Sequence, residues 1–300
     1  MRAFVTGASG FVGAHVAREL TEQGWEVLGD RVDLLDRAGL RRAAAGCDAV
    51  FHVAALYSYD AEPELIERVN VEGTANVIAA CRSAGVGRLV HCSTAGTCGP
   101  IEGREATERD APPAWELEVP YKRTKLLAEQ LVLEAVGDGL DAVIVNPTTP
   151  VGDGDRKPTP TGRMVAGVAR GSIPGYVATT GLNVVDVRDV ARGHVLAFER
   201  GAPGERYLLG GVNLPLGELF VAIADLAGRA RPRIRVPYAA AVVAARIHLA
   251  NRDEVKLARL PMYFSSEKAQ NMLEYRPGPV TPALARAVQE ALSVNGKGGA

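Results

Sequence analysis

Two residues with complementary proton chemistry lie four positions apart in residues 121–125, which read Tyr-Lys-Arg-Thr-Lys. At the beginning of a predicted helix, this spacing places Tyr121 and Lys125 on one face. An ammonium group lowers the pKa of a nearby phenol, which can then exchange a proton with a substrate oxygen. The alternative interpretation is an ordinary exposed helical turn that carries a tyrosine, so the pair must be judged by its context.

Two hydroxyl side chains follow a predicted strand elsewhere in the chain. Residues 88–91 are predicted to form the strand, and Ser93 and Thr94 come directly after it. Ligands of parallel sheets bind at the carboxyl ends of the strands, so a hydroxyl placed there can hold a substrate carbonyl. Because adjacent strand positions face opposite ways, Ser93 and Thr94 are alternatives for this role.

A glycine-rich segment joins the first predicted strand to the first predicted helix. Residues 6–13 read Thr-Gly-Ala-Ser-Gly-Phe-Val-Gly, between a strand at 3–5 and a helix at 14–23. Such glycines permit a tight turn and the close approach of a pyrophosphate, and the helix N-terminus supplies free N–H groups. This context predicts a dinucleotide site. A nicotinamide dinucleotide bound there would lower the phenol pKa further through its cationic ring, and Lys125 could hydrogen-bond its ribose. The expected contacts in this segment are Gly7, Ser9, Gly10, Phe11, Val12 and Gly13.

The end of the second predicted strand bears on which nicotinamide cofactor binds. Residues 26–31 read Glu-Val-Leu-Gly-Asp-Arg, so a carboxylate and a guanidinium are adjacent. Asp30 would accept hydrogen bonds from the adenosine ribose and favour NAD, whereas Arg31 would attract the 2′-phosphate of NADP unless it is a solvated surface charge. We expect NAD, with NADP as the alternative. Asp33 either reaches the adenine or caps the next helix, and Leu34 beside it is a further expected cofactor contact.

Short apolar strands alternate with helical patterns over the first half of the chain. The predicted strands are 26–28, 49–53, 88–91 and 142–145, and the predicted helices include 40–45, 64–84, 121–136 and 187–199. This alternation is typical of an α/β fold in which a doubly wound parallel sheet of the Rossmann type is covered by helices on both faces.

Proline and glycine become frequent beyond residue 150, which suggests a second unit. We expect an NAD(P)-binding Rossmann domain at 1–150 and 180–205. A smaller C-terminal α/β substrate-binding lobe is expected at 151–179 and 206–294, over the carboxyl ends of the strands. Residues 295–300 are expected to form a disordered tail.

Composition excludes several classes of protein. The 300 residues carry 34 Lys+Arg against 35 Asp+Glu, a net charge of −1, and 47% are hydrophobic, which indicates a globular chain without a nucleic-acid partner. The four cysteines form neither a disulfide framework nor a zinc motif, so we expect reduced thiols, a cytoplasmic protein and no metal. The N-terminal apolar stretch is too short for a signal peptide, and the longest one, 238–245, is too short to span a membrane, so no membrane partner is expected.

The ordered set of motifs resembles the extended short-chain dehydrogenases/reductases, in the NAD-dependent epimerase/dehydratase group. The resemblance implies that Thr94, Tyr121 and Lys125 form a catalytic triad, that Asn70 supports the active-site backbone and contacts the cofactor region, and that Ala54, Ala55 and Pro147 line the cofactor. It also implies a homodimer formed through helices 64–84 and 121–136. The matching segments are residues 6–13, 48–55, 70–74, 93–94, 121–125, 146–147 and 187–190.

Within that family, residues 157–163, 181–183 and 263–266 resemble hopanoid-associated sugar epimerases and, more loosely, dihydroflavonol-4-reductase-like ketone reductases. Segment 30–36 departs from them and is similar to dTDP-4-dehydrorhamnose reductases. Nucleotide-sugar epimerases of the family usually carry an arginine before the strand that precedes the 187–199 helix, where residues 179–183 read Thr-Thr-Gly-Leu-Asn. Without that cation a buried diphosphate is poorly compensated. A smaller or more apolar ketone or alcohol is therefore favoured.

Aromatic and polar residues supply candidates for the substrate pocket. Tyr57, Thr94, Asn146 and Arg163 are the expected substrate contacts. Tyr59, Trp115 and Tyr176 are further wall candidates, whereas His52 and His91 are expected to be core residues.

Three functions remain open at this point. They are a reductase or dehydrogenase that releases its cofactor, a sugar or nucleotide-sugar epimerase or dehydratase that retains it, and a dinucleotide sensor without catalysis. The complete Thr94, Tyr121 and Lys125 set disfavours the sensor, which has no need of a proton donor.

Overall fold

The computed structural model describes residues 1–29, 31–58 and 61–293. Asp30, Tyr59 and the tail 295–300, to which the sequence assigns roles or disorder, lie outside the described residues. These described ranges contain eleven strands: β1 (Arg2–Thr6), β2 (Glu26–Leu28), β3 (Ala49–His52), β4 (Arg88–Cys92), β5 (Ala142–Pro147), β6 (Thr149–Val151), β7 (Gly175–Val177), β8 (Gly181–Asp186), β9 (Arg206–Leu209), β10 (Val212–Pro215) and β11 (Ile234–Val236).

Twelve α-helices connect these strands within the described residues. They are α1 (Phe11–Glu22), α2 (Arg37–Ala44), α3 (Pro63–Glu67), α4 (Gly73–Ala84), α5 (Pro120–Gly137), α6 (Pro160–Arg170), α7 (Val187–Arg200), α8 (Leu216–Leu226), α9 (Tyr238–Arg246), α10 (Arg252–Leu257), α11 (Glu267–Met272) and α12 (Thr281–Ser293). In the part of the chain that the structure describes, none of them is both long and apolar enough to cross a membrane.

Six parallel strands form the main sheet in the order β2-β1-β3-β4-β5-β9. Side chains alternate between its faces, so Val5 packs with α1 and α7 on one side, while Phe4 packs with α2 and α4 on the other. The predicted doubly wound parallel sheet is thus confirmed. The order in which successive strands are added to the sheet reverses between β1 and β3, and a ligand crevice is expected at the carboxyl ends of these two parallel strands.

The sixth strand corrects the expected domain boundary. Residues 206–209 were assigned to the smaller lobe, but β9 pairs in parallel with β5, and Tyr207 is buried in the main core. Strand β8, assigned to the Rossmann domain, instead pairs with β6 and β10 in a separate three-stranded sheet. Short apolar strands look alike in sequence, and only their pairing partners decide which sheet receives them.

The remaining elements cover the carboxyl edge of the main sheet. Helices α6, α8 and α12 pack on the three-stranded sheet around Leu219 and Leu284. Strands β7 and β11 form a parallel pair, and α9 and α10 pack beside it. These elements form the wall that faces the crevice of the main sheet.

The helix predicted at 64–84 is interrupted. Between α3 and α4 the residues Arg68–Glu72 form a π-helical turn, a feature often found at functional sites. The buried side chain of Asn70 lies in this turn.

Candidate active site

The glycine segment forms a tight loop that approaches β3 closely. Gly7 has a positive φ of 72°, and a Cβ there would lie 2.9 Å from the Ala54 Cα. A Cβ on Gly13 would collide with the Gly7 carbonyl oxygen. Helix α1 begins at Phe11, and its N-cap residue Gly10 has no side chain to cap it, so the first N–H groups of the helix remain available to a diphosphate. The loop therefore fits a dinucleotide.

A cavity of about 1080 Å³ extends from this loop along the strand ends to the smaller lobe. Its lining brings together most of the expected cofactor and catalytic positions. Asn70, Asn146, Arg31, Asp33 and Leu34 are not part of it. The expected residues that line it are Gly7, Ser9, Gly10, Phe11, Val12, Gly13, Ala54, Ala55, Tyr57, Thr94, Tyr121, Lys125, Pro147 and Arg163.

Both candidate hydroxyls after β4 line the cavity. Thr94 begins a short 3₁₀ turn, and its Oγ1 accepts a 3.3 Å hydrogen bond from the Gly96 N–H. Ser93 is buried, and its hydroxyl has no hydrogen-bond partner among the described residues. Strand β4 ends at Cys92, so the alternation of side chains between the two faces of a strand does not extend to Ser93 and Thr94. It therefore does not decide which of the two hydroxyls contacts the substrate.

Tyr121 lies in the first turn of α5 and stacks against Tyr57, with ring centroids 4.3 Å apart and planes inclined by 32°. Burial, followed by the neighbouring Tyr57 and Cys92, raises the phenol pKa of Tyr121 well above its usual value. The sequence predicted a lowered pKa from the ammonium of Lys125. This expectation is wrong, because the loss of solvation on burial raises the phenol pKa.

Lys125 lies one turn further along α5 and is buried. Its Nζ donates a 2.7 Å hydrogen bond to the Cys92 carbonyl oxygen. Burial lowers the pKa of this ammonium, and the Cys92 and Glu129 side chains partly oppose that shift. Tyr121 and Lys125 thus share the face of α5 that their spacing predicts.

Asn70 supports the backbone at the end of β3. Its Oδ1 accepts from the Leu56 N–H at 2.7 Å, and its Nδ2 donates to the Leu56 carbonyl and the Thr124 hydroxyl. The expected supporting role therefore has a geometric basis, whereas direct cofactor contact does not, since Asn70 lies outside the cavity lining.

A second polar cluster holds the neighbouring backbone. The Thr6 Oγ1 accepts from the N–H groups of Val53 and Ala54 at 3.1 Å, and it contacts the His52 ring at 2.9 Å. The other His52 ring nitrogen contacts the Thr74 hydroxyl at 3.0 Å. His52 therefore has the core role that the sequence predicts, and the cluster fixes the strand end that lines the cavity.

Asn146 is not a substrate contact, which corrects the sequence expectation. It is completely buried, and its Nδ2 lies within hydrogen-bond distance of the Thr94 carbonyl, the Thr97 hydroxyl and Glu129 Oε2. Glu129 Oε1 forms a 2.9 Å ion pair with Arg206 of β9. Asn146 thus connects a buried ion pair to the backbone of Thr94.

Leu34 was expected to contact the adenosine part of the cofactor. Its side chain instead packs in the core against Gly73. Its backbone carbonyl accepts from Asn76, which ties down the short segment before α2. Asp36 caps α2 through the Gly39 N–H, so the predicted alternative role of Asp33 as the cap is wrong. Asp33 instead accepts from the Leu35 N–H.

The remaining aromatic candidates divide between the cavity and the surface of the lobe. Tyr176 lines the cavity, whereas Trp115 does not. The Trp115 ring faces the Arg259 guanidinium at 5.4 Å from the ring centroid.

Lys122 lines the cavity, although no sequence motif marks it as a site residue. It lies beside Tyr121 and pairs with the buried Glu116 at 3.0 Å. Its side chain occupies the space that a Cβ on Gly96 would fill. Burial raises the Glu116 pKa, and the Lys122 ammonium opposes this.

Over the described residues no group of three or more metal-binding side chains comes together.

The chain is similar to known oxidoreductases and epimerases. A putative dihydroflavonol 4-reductase from Synechocystis sp. is 37% identical over 95% of this chain and 93% of that protein. A 2-alkyl-3-oxoalkanoate reductase from Stenotrophomonas maltophilia is 32% identical over 92% of this chain and 95% of that protein.

A nucleoside-diphosphate-sugar epimerase structure from Pseudomonas aeruginosa superposes with a TM-score of 0.83 at 26% identity, over 99% of this chain and 98% of that one. The NAD-dependent epimerase/dehydratase family model matches residues 3–210. The resemblance inferred from the motifs, including the likeness to dihydroflavonol-4-reductase-like proteins, is thereby confirmed. The chain belongs to the NAD-dependent epimerase/dehydratase family and is an NAD(P)-dependent enzyme of the extended short-chain dehydrogenase/reductase type.

Proposed function

We propose that this enzyme transfers a hydride at a secondary alcohol or ketone carbon of an apolar small molecule, with Tyr121 as proton donor and acceptor. The observation that carries the proposal is the cavity wall contributed by the smaller lobe, which lies beyond Thr94 and Tyr121. Its side chains are mostly apolar and include Met164, Ile173, Val177, Leu216, Phe220, Val236, Leu257 and Met262. Such a wall favours a substrate with a large hydrocarbon part.

The distribution of charge supports the same substrate class. Among the described lining residues the cations are Lys122, Lys125 and Arg163. Lys122 is paired with Glu116, and Lys125 donates to the Cys92 carbonyl. Arg163 is exposed and donates to the Pro158 carbonyl. A nucleotide-sugar diphosphate would require bidentate cationic partners, and this wall offers few of them.

The cofactor site follows from the same geometry. The glycine loop and the N-terminus of α1 would hold the diphosphate, Ala54, Ala55 and Pro147 would line the cofactor, and Lys125 would bind the nicotinamide ribose. The bound cofactor supplies or accepts the hydride.

The hydroxyl groups act on the substrate oxygen. Thr94 would donate a hydrogen bond to this oxygen and hold the carbonyl near Tyr121. In reduction the Tyr121 phenol passes its proton to the oxygen as the carbonyl carbon receives the hydride. The high pKa of the buried phenol keeps this proton in place at neutral pH, which suits the reductive direction.

The named relatives support carbonyl reduction. Both are named as reductases, and the name of one specifies an alkyl-substituted 3-oxo acid as its substrate. An epimerase that retains its cofactor is the second candidate, because the superposed epimerase shares the fold over nearly the whole chain.

Cofactor binding distinguishes the candidates. Absorbance spectra of the purified protein, followed by isothermal titration with NADH and NADPH, measure whether cofactor is retained and which one binds. Reversible binding at micromolar affinity, with NAD favoured, is expected for the reductase. Cofactor that survives purification would favour the epimerase, and the absence of binding would contradict catalysis altogether.

Substrate class needs a separate measurement. Oxidation of the reduced cofactor is followed with methyl ketones of increasing chain length. The proposal expects kcat/KM to rise with each added methylene, by about fourfold when the group is fully buried. No dependence on chain length would contradict the apolar assignment.

A further inference from the structure

Four large apolar side chains are exposed on and beside β11 and α9, two elements that also contribute to the cavity lining. Ile234 is 57% exposed, Val243 56%, Ile247 60% and Leu249 78%. They lie on β11, on α9 and just after α9, and we call them the α9 face. Exposed apolar clusters of this kind mark interaction sites.

The α9 helix is apolar on its outer side as well as on its inner side. Ala241 and Ala245 point inward and pack in a cluster with Val255. Val243 and Ile247, four positions apart, are exposed together. A surface helix normally carries polar residues on its outer side, so this composition calls for a partner.

The surroundings of the α9 face are strongly cationic. Residues 229–259 contain eight arginines and lysines against two acidic residues, within a chain of net charge −1. Arg231 pairs with Asp225, and Lys256 pairs with Glu118. The exposed arginines that form no ion pair with the described part of the chain are Arg229, Arg233, Arg235, Arg246 and Arg252.

The α9 face is continuous with the cavity. Val236, Ala244 and Ala250 line the cavity from the same elements, and Leu249 is both a lining residue and the most exposed member of the face. Leu249 therefore joins the apolar lining of the cavity to the exposed α9 face.

We propose that the α9 face docks on an anionic lipid bilayer, with the apolar side chains among the acyl chains and the arginines at the headgroups. Interfacial segments bind through this combination of buried apolar area and attraction to anionic lipids. A second copy of the chain fits less well, because a two-fold contact would place two clusters of like charge together. This proposal departs from the expectation that no membrane partner binds, which rested on the lack of a segment long enough to span a bilayer. A nine-residue helix that lies at the interface does not need that length.

Vesicle binding tests the proposal without substrate turnover. The full chain is mixed with vesicles of phosphatidylcholine alone or with phosphatidylglycerol, at low and high salt, and binding is measured by flotation. The expected result is binding to anionic vesicles that weakens with salt. We expect Val243→Ser/Ile247→Ser and Arg233→Gln/Arg246→Gln each to reduce this binding at least about tenfold.

A matched control separates the face from general surface hydrophobicity. Met272→Ser/Leu292→Ser removes two exposed apolar side chains from other helices and should retain binding. Circular dichroism checks that every variant is folded. Equal vesicle binding by the parent and the α9-face variants, or no binding at all, would overturn the proposal. So would a parent dimer that Val243→Ser/Ile247→Ser converts to a monomer in sedimentation velocity, since a second copy would then cover the face.

Discussion

The Nζ of Lys125 donates a 2.7 Å hydrogen bond to the carbonyl oxygen of Cys92, which joins the first turns of α5 to the end of β4. This contact holds the face of α5 that carries Tyr121 beside the segment that carries Thr94. The Lys125 ammonium thus has a backbone hydrogen-bond partner, while burial dominates the pKa of the neighbouring phenol.

Removal of the Tyr121 hydroxyl tests proton transfer directly. Tyr121→Phe keeps the ring that stacks on Tyr57 but removes the proton donor, so we expect kcat to fall by about 100- to 10,000-fold. Cofactor affinity, measured by isothermal titration, should change little. Tyr238→Phe removes a phenol outside the cavity lining and is the matched control. Near-parental turnover by Tyr121→Phe would remove Tyr121 from the mechanism.

The pH dependence should differ between the two reaction directions. Because burial raises the Tyr121 pKa, the phenol keeps its proton as pH rises, and reduction should stay nearly constant from about pH 6 to about pH 9. Oxidation requires the phenolate form of Tyr121 to accept the proton of the alcohol, and it should accelerate as pH rises through this range because more of the phenol is deprotonated. Initial rates in both directions provide the test, and a reduction rate that falls steeply above neutral pH would contradict it.

Asn146 should behave as a positioning residue. Asn146→Ala removes the donor to the Thr94 carbonyl and to Glu129, so we expect about 1–3 kcal/mol of lost stability and a lower kcat. The KM for substrate should change little, because Asn146 does not line the cavity. Arg163→Ala is the comparison, since Arg163 does line it. A large increase in KM with unchanged stability would restore Asn146 as a substrate contact.

Buried histidines should make folding stability sensitive to acid. Burial lowers the pKa of His52 to about 3 and that of His194 to about 4, and it lowers the His91 pKa well below the ordinary 6.5. The unfolded chain therefore binds more protons, and the free energy of unfolding falls as pH drops below 6.5, by up to about 1.4 kcal/mol per pH unit for each histidine.

Substitution of His91 measures the contribution of one buried histidine to this pH dependence. Both of its ring nitrogens are buried without a hydrogen-bond partner in the described residues, so His91→Phe removes an unsatisfied polar group. We expect the variant to be as stable as the parent at pH 7 and increasingly more stable below that pH. Urea unfolding at several pH values measures the difference, and identical pH dependence in the two proteins would count against it.

Glycine substitutions test the diphosphate loop. A Cβ on Gly13 would collide with the Gly7 carbonyl, so Gly13→Ala should weaken cofactor binding by at least about tenfold through displacement of the loop. Gly137→Ala, where nothing lies within 4 Å of the added Cβ, is the matched control. Titration of both variants with the preferred cofactor gives the comparison. Equal affinities would show that the loop is not the binding site.

Local pattern alone predicted much of the main sheet. The order of strands and helices follows from apolar runs bounded by glycine and proline, and the glycine loop is recognisable because its strand and helix are adjacent in sequence. The Tyr121 and Lys125 pair is likewise readable, since helical geometry relates positions four apart. These features depend on short-range periodicity, which the chain carries within each segment.

Contacts between distant segments decided the rest. The sheet to which β8 and β9 belong depends on their pairing partners, and the burial of Asn146 depends on Glu129 and Arg206, which reach it from other elements. The direction of the Tyr121 pKa shift depends on how completely the fold removes water from the phenol, a quantity that spacing does not encode. The sequence determined which chemical groups this protein carries and their local order. Only the tertiary structure decided which partners these groups have and how far they are removed from water, because both properties depend on residues that are distant in sequence and are brought together by folding.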